Sequence, residues 1–360
     1  MKEGNILTDP RNSFKGWYST PNEIEYAVQN KQMLNPMLDL TNACNLNCPY
    51  CYIEEKNSTR KKRRPNELSV EETLNVIEVF HSLGAKTIDI VGAGEPTIDP
   101  HFKEIVNYIY NLGMTTSLFT NGIKISKEPE FVDFLFENDV TVILKLNSFH
   151  PAVQDVVAGK KGYTIDMLRA LGLLIEKGFN KVIPTRLAVD TIAFKGNFKE
   201  LPLIHRYCRE NNIYPLTADF IPTGRTEAGM FVADVALAGM TELDKELALL
   251  LLQPLDSFER FQLRKQLREI DFEFGIEQSS CPAYYGGGIC TQQIGMYVDI
   301  EGNIWPCVAR GMMKKGKMMN GLFGNIRKGD NIEDVWNTHS YFREIRKHFN
   351  GSCPYKSSLT

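Results

Sequence analysis

The feature that most limits what this chain can fold into is a group of three cysteines, Cys44, Cys48 and Cys51, at C-x3-C-x2-C spacing. The group follows directly on an extended apolar run at Met37–Leu40. Three thiolates can hold three irons of a [4Fe–4S] cubane and leave the fourth iron without a protein ligand. A metal position left open in this way can bind a reactant. A structural zinc loop is the alternative, although zinc usually takes four ligands, often as paired C-x2-C units.

Extended apolar runs alternate with stretches of helical period over residues 36–226. The extended runs are Met37–Leu40, Thr87–Val91, Thr115–Phe119, Thr141–Leu146, Val182–Val189 and Tyr214–Ile221. Strand–helix–strand alternation at this spacing predicts parallel βα units in an α/β fold. Six units favour a partial, TIM-like (βα)6 barrel over a closed eightfold one, and catalytic groups are expected where its strands end.

Changes in composition divide the chain into four predicted parts. These are an N-terminal extension at 1–35, the partial barrel at 36–226, a helical bridge at 227–271 and a small α+β domain at 272–360. The last part is rich in glycine and cysteine. Its runs at Ile294–Ile300 and Asn303–Val308 predict a two-stranded hairpin that turns at Glu301-Gly302.

Net charge and hydropathy narrow the classes of partner. A net charge of −3 argues against a protein that coats nucleic acid or an anionic membrane. No run of 18 apolar residues predicts a transmembrane helix, and Met1–Trp17 lacks the apolar region of a secretory signal. We therefore expect a cytoplasmic protein without a membrane partner. In that compartment clustered cysteines are more often metal ligands than disulfides.

From residue 36 to about residue 225 the sequence resembles the radical S-adenosylmethionine (SAM) superfamily. The resemblance rests on the cysteine loop with Tyr50 before its last cysteine, on Gly92-Ala93-Gly94-Glu95-Pro96 and on Thr120-Asn121-Gly122. It implies a catalytic [4Fe–4S] cluster on the three cysteines, with SAM bound to the open iron. It also implies reductive cleavage of SAM to a 5′-deoxyadenosyl radical that abstracts a substrate hydrogen. A flavodoxin- or ferredoxin-like electron donor is expected as a partner.

Several residues at strand ends are predicted to bind SAM. Glu95 can accept hydrogen bonds from the methionine ammonium, and Gly94 allows close backbone approach. Relatives place ribose- or carboxylate-binding groups near Lys145 and Ser148, although Lys145 could instead reach solvent. Arg186, in the predicted fifth strand, is a second candidate for the carboxylate. The full predicted set is Tyr50, Gly94, Glu95, Asn121, Lys145, Ser148 and Arg186.

A second group of cysteines lies near the C-terminus. The spacing from Cys290 through Gly302 to Cys307, C-x11-G-x4-C, resembles the auxiliary-cluster module called SPASM or, when shortened, Twitch. The dense cysteine run of the full module is missing, so one auxiliary [4Fe–4S] cluster is expected. Cys281 and Cys353 would complete its four thiolates. Either could instead be a free thiol that donates a hydrogen atom, and a zinc site is a further alternative.

Two other features carry weaker predictions. The basic run Arg60–Arg64 could bind a phosphate, a nucleic acid or an acidic peptide, and is more often a solvated loop. Cys208 lies alone in a helical stretch, which predicts a buried structural thiol.

The main functional expectation is a radical SAM oxidoreductase, a dehydrogenase or epimerase that acts on a small polar molecule such as a sugar or aminocyclitol. An auxiliary cluster could accept the electron left after hydrogen abstraction. The alternative is a peptide maturase that forms a crosslink, thioether or epimer, although residues 1–35 leave little room for a peptide-recognition domain. A non-catalytic iron–sulfur or zinc scaffold or sensor belongs to another class. Gly94-Glu95-Pro96 argues against it, because a structural cluster needs no SAM-binding glutamate.

Overall fold

Six parallel strands form the core of the protein. The computed structural model describes residues 9–53, 62–220, 241–277, 284–285, 290, 294–308, 311–314 and 317–347. The strands are β1 (Met37–Leu38), β2 (Thr87–Ile90), β3 (Thr115–Thr120), β4 (Thr141–Lys145), β5 (Leu187–Ala193) and β6 (Tyr214–Asp219). They pair in chain order, each parallel to the next, and the sheet is not closed. The predicted α/β fold with a partial barrel is confirmed.

Helices follow the strands as the predicted βα alternation requires. They are α1 (Pro21–Gln29), α2 (Val70–Ser82), α3 (Phe102–Asn111), α4 (Ile123–Lys127), α5 (Glu130–Glu137), α6 (Pro151–Ala158), α7 (Tyr163–Lys177) and α8 (Leu201–Glu210). The start of α2 shows why the pattern could be predicted. Ser69 and Glu72 form the expected capping box, in which each side chain binds the other's backbone N–H.

The predicted fifth strand is displaced along the chain. The sequence predicts it at Val182–Val189, whereas β5 runs from Leu187 to Ala193. Pro184 has no N–H to give to a neighbouring strand, so the ladder begins only after it. Arg186 therefore precedes the strand and lies at its amino end, while the catalytic ends of the strands lie at the other edge.

Two apolar cores lie on opposite faces of the sheet. The outer core packs the helices against residues such as Ile88 and Ile90 of β2. Side chains alternate along a strand, so Asp89 between them faces the barrel interior. The N-terminal extension enters this interior: the backbone at Phe14 bridges that at Thr185, and Phe14 and Trp17 pack inside the barrel. The extension thus forms part of the inner core.

The C-terminal ribbon continues the barrel sheet. Strand β7 (Tyr297–Val298) pairs parallel to β1, and β8 (Asn303–Trp305) pairs antiparallel to β7, as the predicted hairpin requires. The remaining strands are β9 (Gly311–Lys314), β10 (Lys317–Asn320) and β11 (Gly324–Asn325), of which β11 pairs with β8. The sheet order is β11-β8-β7-β1-β2-β3-β4-β5-β6. This order brings the ribbon beside the loop that follows β1.

The remaining helices are α9 (Glu242–Leu251), α10 (Ser257–Glu273), α11 (Ile332–Thr338) and α12 (Ser340–Lys347). Helix α10 is joined to α8 by the buried carboxylate of Asp271, which accepts from Arg209 Nε at 2.7 Å and pairs with His205 Nε2 at 2.6 Å. Within the described residues, no helix has the length and apolarity needed to cross a membrane.

Candidate functional site

A cavity of about 440 Å³ opens at the carboxyl ends of the barrel strands. All three cysteines of the first loop line it. Four of the predicted SAM-binding residues lie close to them on its wall, namely Tyr50, Gly94, Glu95 and Asn121, and Lys145 lines it as well. A fold that places these groups around one space fits a cluster with a bound co-reactant, since SAM needs donors, acceptors and an open metal position together.

The amino side of the cysteine loop is held by Glu67, which the sequence analysis did not single out. Its buried carboxylate accepts from Thr41 Oγ1 at 3.0 Å and from the backbone N–H of Asn42 at 2.9 Å. Arg63 pairs with Glu67 at 3.2 Å and with Asp99 at 2.5 Å. Arg63 therefore supports the loop, which corrects the expectation of a solvated or phosphate-binding run at this position. Residues 60 and 61 of that run lie outside the described residues.

Gly94 is packed against the backbone of the cysteine loop. A Cβ atom there would lie 2.0 Å from the carbonyl oxygen of Ala43, closer than real Cβ contacts come. The next residue, Glu95, donates its backbone N–H to that same oxygen at 2.8 Å. Only glycine allows the two loops to approach this closely.

Gly159 contacts the cysteine loop from its other side. It ends α6 with φ +62°, and a Cβ atom there would lie 2.1 Å from the carbonyl oxygen of Asn47. The backbone N–H of Asn47 donates to Ala158 at 3.2 Å. The sequence offers a helix-ending glycine as a signal but no indication of what it contacts.

Glu95 lies buried at the centre of a hydrogen-bond network. Its carboxylate accepts from the hydroxyls of Thr97 and Thr120, both at 2.6 Å, and from the backbone N–H of Asn121 at 2.8 Å. Burial raises the pKa of Glu95, while these donors lower it. The bonds fix the carboxylate in one orientation at the cavity wall, as a receptor for an ammonium group requires.

Lys145 and Asp190 form an ion pair on the opposite wall. Lys145 Nζ lies 2.7 Å from Asp190 Oδ2 and 5.4 Å from the ring centre of Tyr50. The Tyr50 hydroxyl accepts from Asn147 Nδ2 at 2.9 Å, and burial raises the pKa of Tyr50. Asn121 donates its side-chain amide to Asn45 Oδ1 at 2.7 Å. Asp190 was missed in the sequence because it lies one residue past Val189, the predicted end of the fifth strand.

Two predicted SAM-binding residues do not line the cavity. Ser148 is fully buried and donates to Glu200 Oε2 at 2.5 Å, so its hydroxyl orders the loop before α6. Arg186 donates to the backbone carbonyls of Val140 at 3.0 Å and Phe136 at 3.0 Å. Burial lowers its pKa. The expected role of Arg186 in binding SAM is wrong because it lies at the amino end of β5, whereas that of Ser148 stays a prediction.

The second cysteine group is described in part. Cys290 is buried and Cys307 half-buried, whereas Cys281 and Cys353 lie outside the described residues. Val308, next to Cys307, lines the same cavity as the first cysteine loop. The cavity therefore extends from the first cysteine loop to the residue beside Cys307.

The remaining lone cysteine behaves as expected. Cys208 is fully buried in α8, and burial raises its pKa to about 12. Among the described residues no three Cys, His, Asp or Glu side chains converge on one metal ion. That result concerns mononuclear sites, because each thiolate of a cubane binds a different iron.

Two family profiles match the chain. Residues 38–193 match the radical SAM superfamily, and residues 290–355 match an iron–sulfur cluster-binding domain called SPASM. The first range contains the cysteine loop, and the second begins at Cys290.

The curated relatives include enzymes with different products. The mycofactocin maturase MftC of Mycolicibacterium smegmatis is 33% identical over 43% of this chain and 38% of its own length. The sporulation killing factor maturation protein SkfB of Bacillus subtilis is 25% identical over 81% and 64%. The chain thus spans less than two thirds of either protein. The AdoMet-dependent heme synthase of Methanosarcina barkeri is 24% identical over 88% of this chain and 87% of its own length.

A solved structure has the same fold. SuiB of Streptococcus suis, bound to S-adenosylmethionine, matches with a TM-score of 0.59 and 16% identity over 88% of this chain and 68% of that chain.

Proposed function

This chain is a radical SAM enzyme with a C-terminal SPASM/Twitch-type domain, and we propose that it is a peptide maturase. It binds SAM, a SAM-associated [4Fe–4S] cluster and an auxiliary [4Fe–4S] cluster. Two of the relatives described above are named as maturases. Neither they nor the heme synthase supports the sugar or aminocyclitol substrate that was the main expectation. The peptide alternative therefore replaces it as the proposal.

The observation that carries this proposal is a cavity that is lined both by the first cysteine loop and by Val308, the neighbour of Cys307. It touches Cys44, Cys48 and Cys51 at one end and Val308, beside Cys307, at another. Modification of a peptide by hydrogen removal needs a substrate C–H bond near SAM and an electron acceptor within reach. When bound, SAM and the clusters supply the one-electron chemistry that removes a hydrogen atom from an unactivated C–H bond.

The chain's own residues would bind the first cluster, orient SAM and exclude water from the cavity. Cys44, Cys48 and Cys51 are the proposed ligands of the first cluster. We assign Glu95 to the methionine ammonium, since its carboxylate is fixed at the cavity wall by three donors. Lys145 is assigned to the carboxylate of the SAM methionine. That carboxylate would compete with Asp190 for the ammonium group of Lys145. Apolar residues that line the cavity, such as Phe119 and Ile143, help to exclude water from it.

The auxiliary site is proposed on the second cysteine group. Cys290 and Cys307 would be two of its ligands, with Cys281 and Cys353 as the others. The ribbon supports this assignment because β7 lies beside β1, which the first cysteine loop follows. A flavodoxin- or ferredoxin-like protein remains the proposed electron donor.

The test supplies reconstituted, reduced holoenzyme with SAM and a library of synthetic peptides of varied sequence. Mass spectrometry should detect loss of two hydrogen atoms for a crosslink or thioether, or deuterium uptake from heavy water for an epimer. The control is the Cys44→Ala/Cys48→Ala/Cys51→Ala variant, which should modify nothing. Oxidation of sugars or aminocyclitols, with every peptide unchanged, would contradict the proposal.

A second candidate is a step in haem synthesis. It is favoured by one observation: the heme synthase aligns with 88% of this chain and 87% of its own length. The same holoenzyme incubated with haem precursors would then develop a haem absorption spectrum. Peptide modification without that spectrum would exclude this candidate.

A further inference from the structure

The inner part of the cavity is apolar. Polar groups such as Glu95 and Asn121 lie on its wall at the strand ends. Among the residues that line it, Trp17, Ile143 and Leu216 belong to the inner core of the barrel, and Phe119 and Tyr284 pack against that core. The Trp17 ring lies 6.1 Å from that of Phe119 and 5.7 Å from that of Tyr284, centre to centre. The cavity thus has a polar wall and an apolar floor.

Trp17 is part of this floor but does not belong to a barrel strand. It belongs to the N-terminal extension and is 7% exposed. The segment before it is fitted into the barrel: Gly16 has φ +100°, and a Cβ atom there would lie 2.8 Å from Ser117 Oγ. The Gly16 carbonyl accepts from Thr87 Oγ1 at 2.9 Å. The extension is therefore fixed at the point where it enters the cavity.

The indole is oriented by a buried carboxyl group. Trp17 Nε1 donates to Asp89 Oδ2 at 2.9 Å, and Asp89 is fully buried in the middle of β2. A buried indole N–H usually has a partner, and here the partner lies on the barrel side of the ring. The hydrogen bond therefore fixes how the ring faces the cavity.

We propose that Trp17 is the specificity-determining floor of the substrate cavity, with Asp89 as its positioning residue, and that an apolar side chain of the substrate rests on it. The size of that side chain is set by the distance from the floor to the polar wall. The claim that an amino-acid side chain of the substrate contacts Trp17 depends on the proposed peptide function, whereas the claim that Trp17 forms the floor does not.

The chain offers a matched internal control. Trp305 Nε1 donates to Asp299 Oδ2, also at 2.9 Å, but this pair lies in the C-terminal ribbon and does not line the cavity. Trp336, the third tryptophan, packs against Phe342 with a ring distance of 4.8 Å. The three indoles can therefore be compared in one sample.

The experiment is fluorine NMR on reconstituted, SAM-bound, unreduced holoenzyme that contains 5-fluorotryptophan. The Trp17 resonance is assigned by its absence in Trp17→Phe. The probes are N-acetyl amides of leucine, phenylalanine, lysine and glutamate, together with indole. The leucine and phenylalanine amides should shift the Trp17 resonance to saturation, and the charged amides should bind about tenfold more weakly. Trp305 and Trp336 should not move.

Three outcomes decide the proposal. A Trp17 resonance that no probe moves, or that charged probes move equally well, overturns it. Saturable shifts by the apolar amides, with the charged amides about tenfold weaker, support both the floor and the peptide substrate. If indole shifts Trp17 while no amide does, the floor stands and the peptide substrate fails.

The positioning role has its own test. Asp89→Leu should weaken binding of the leucine amide about tenfold, and Asp89→Asn, which keeps an acceptor oxygen, should restore it. If Asp89→Leu does not fold, calorimetry on Trp17→Phe, which keeps a ring but loses the N–H donor, tests the same bond. An affinity equal to that of the unaltered protein in Asp89→Leu, or in Trp17→Phe where Asp89→Leu does not fold, would overturn the positioning role.

Discussion

The two cysteine groups are held by the chain in different ways. The first occupies eight consecutive residues, Cys44–Cys51, and the loops around Gly94 and Gly159 contact its backbone from two sides. Of the second group, Cys307 lies just after the ribbon strand β8, and the ribbon joins the barrel through the pairing of β7 with β1. A local motif in a close-packed frame defines the first group, whereas sheet topology defines the second. Substitutions next to the first cysteine loop should therefore remove the first cluster and leave the second in place.

The largest effect is expected from Gly94→Ala. The added Cβ would meet the Ala43 backbone at 2.0 Å, so the cysteine loop must move. We expect SAM cleavage to fall at least about 100-fold and about four irons to be lost, while the auxiliary cluster remains. Iron analysis and chromatography of 5′-deoxyadenosine measure both. The control is Gly172→Ala in α7, where a Cβ meets nothing within 4 Å. Equal loss of both clusters would show that the two sites are not separable.

A smaller effect is expected from the glycine on the other side of the loop. Gly159→Ala would place a Cβ 2.1 Å from the Asn47 carbonyl oxygen, whereas Gly162, with φ +78°, has open space around it. Both alanines carry the left-handed strain of about 1–2 kcal/mol. Only Gly159→Ala should also lower SAM cleavage, by about tenfold. Matching activities in the two variants, measured beside urea unfolding, would contradict the contact's importance for the first site.

An effect of pH on the free energy of unfolding is expected from Asp89, the hydrogen-bond partner of Trp17. Burial raises the pKa of Asp89 to about 8. Between about pH 4 and pH 8 the folded protein holds a proton that the unfolded chain has released, so the free energy of unfolding falls as pH rises. The slope from this group is at most about 1.4 kcal/mol per pH unit. Asp89→Asn should flatten it in urea unfolding at several pH values. An unchanged slope would contradict a neutral Asp89.

The smallest effect is expected where the ribbon region meets the barrel surface. Arg327 forms two bonds to Glu72, at 2.7 and 2.6 Å, and also donates to the Asn66 carbonyl. Because the pair is about one third exposed, Arg327→Lys should cost only about 0.5 kcal/mol. Urea unfolding measures the change, and SAM cleavage should stay within about twofold. A loss of several kcal/mol would mean that side-chain pairing, as well as the sheet, holds the ribbon.

The comparison also explains what the sequence could predict. The cysteine loop, the strand ends at Glu95 and Asn121, and the capping box at Ser69 are local patterns, and the structure has them where they were expected. The shift of β5 past Pro184 removed Arg186 from the site. Pro184 lies inside the predicted run Val182–Val189 and left the start of the strand uncertain, and pairing with β4 shows where the ladder begins.

Contacts between distant segments left no readable signal. Glu67 lies in a polar loop, Gly159 ends an ordinary helix, and Trp17 lies in an extension without periodicity. Each is brought to the backbone or cavity that it touches only by the tertiary fold. Residues of this kind require the structure to be found.

The most direct test of the central claim is anaerobic reconstitution with iron and sulfide, followed by reduction with SAM. The quantities measured are 5′-deoxyadenosine and iron per chain, beside the Cys44→Ala/Cys48→Ala/Cys51→Ala variant. The account predicts that 5′-deoxyadenosine forms, that the variant forms none, and that the variant keeps about four irons on its second cysteine group. A variant that still cleaves SAM, or a protein that binds zinc and cleaves none, would contradict it.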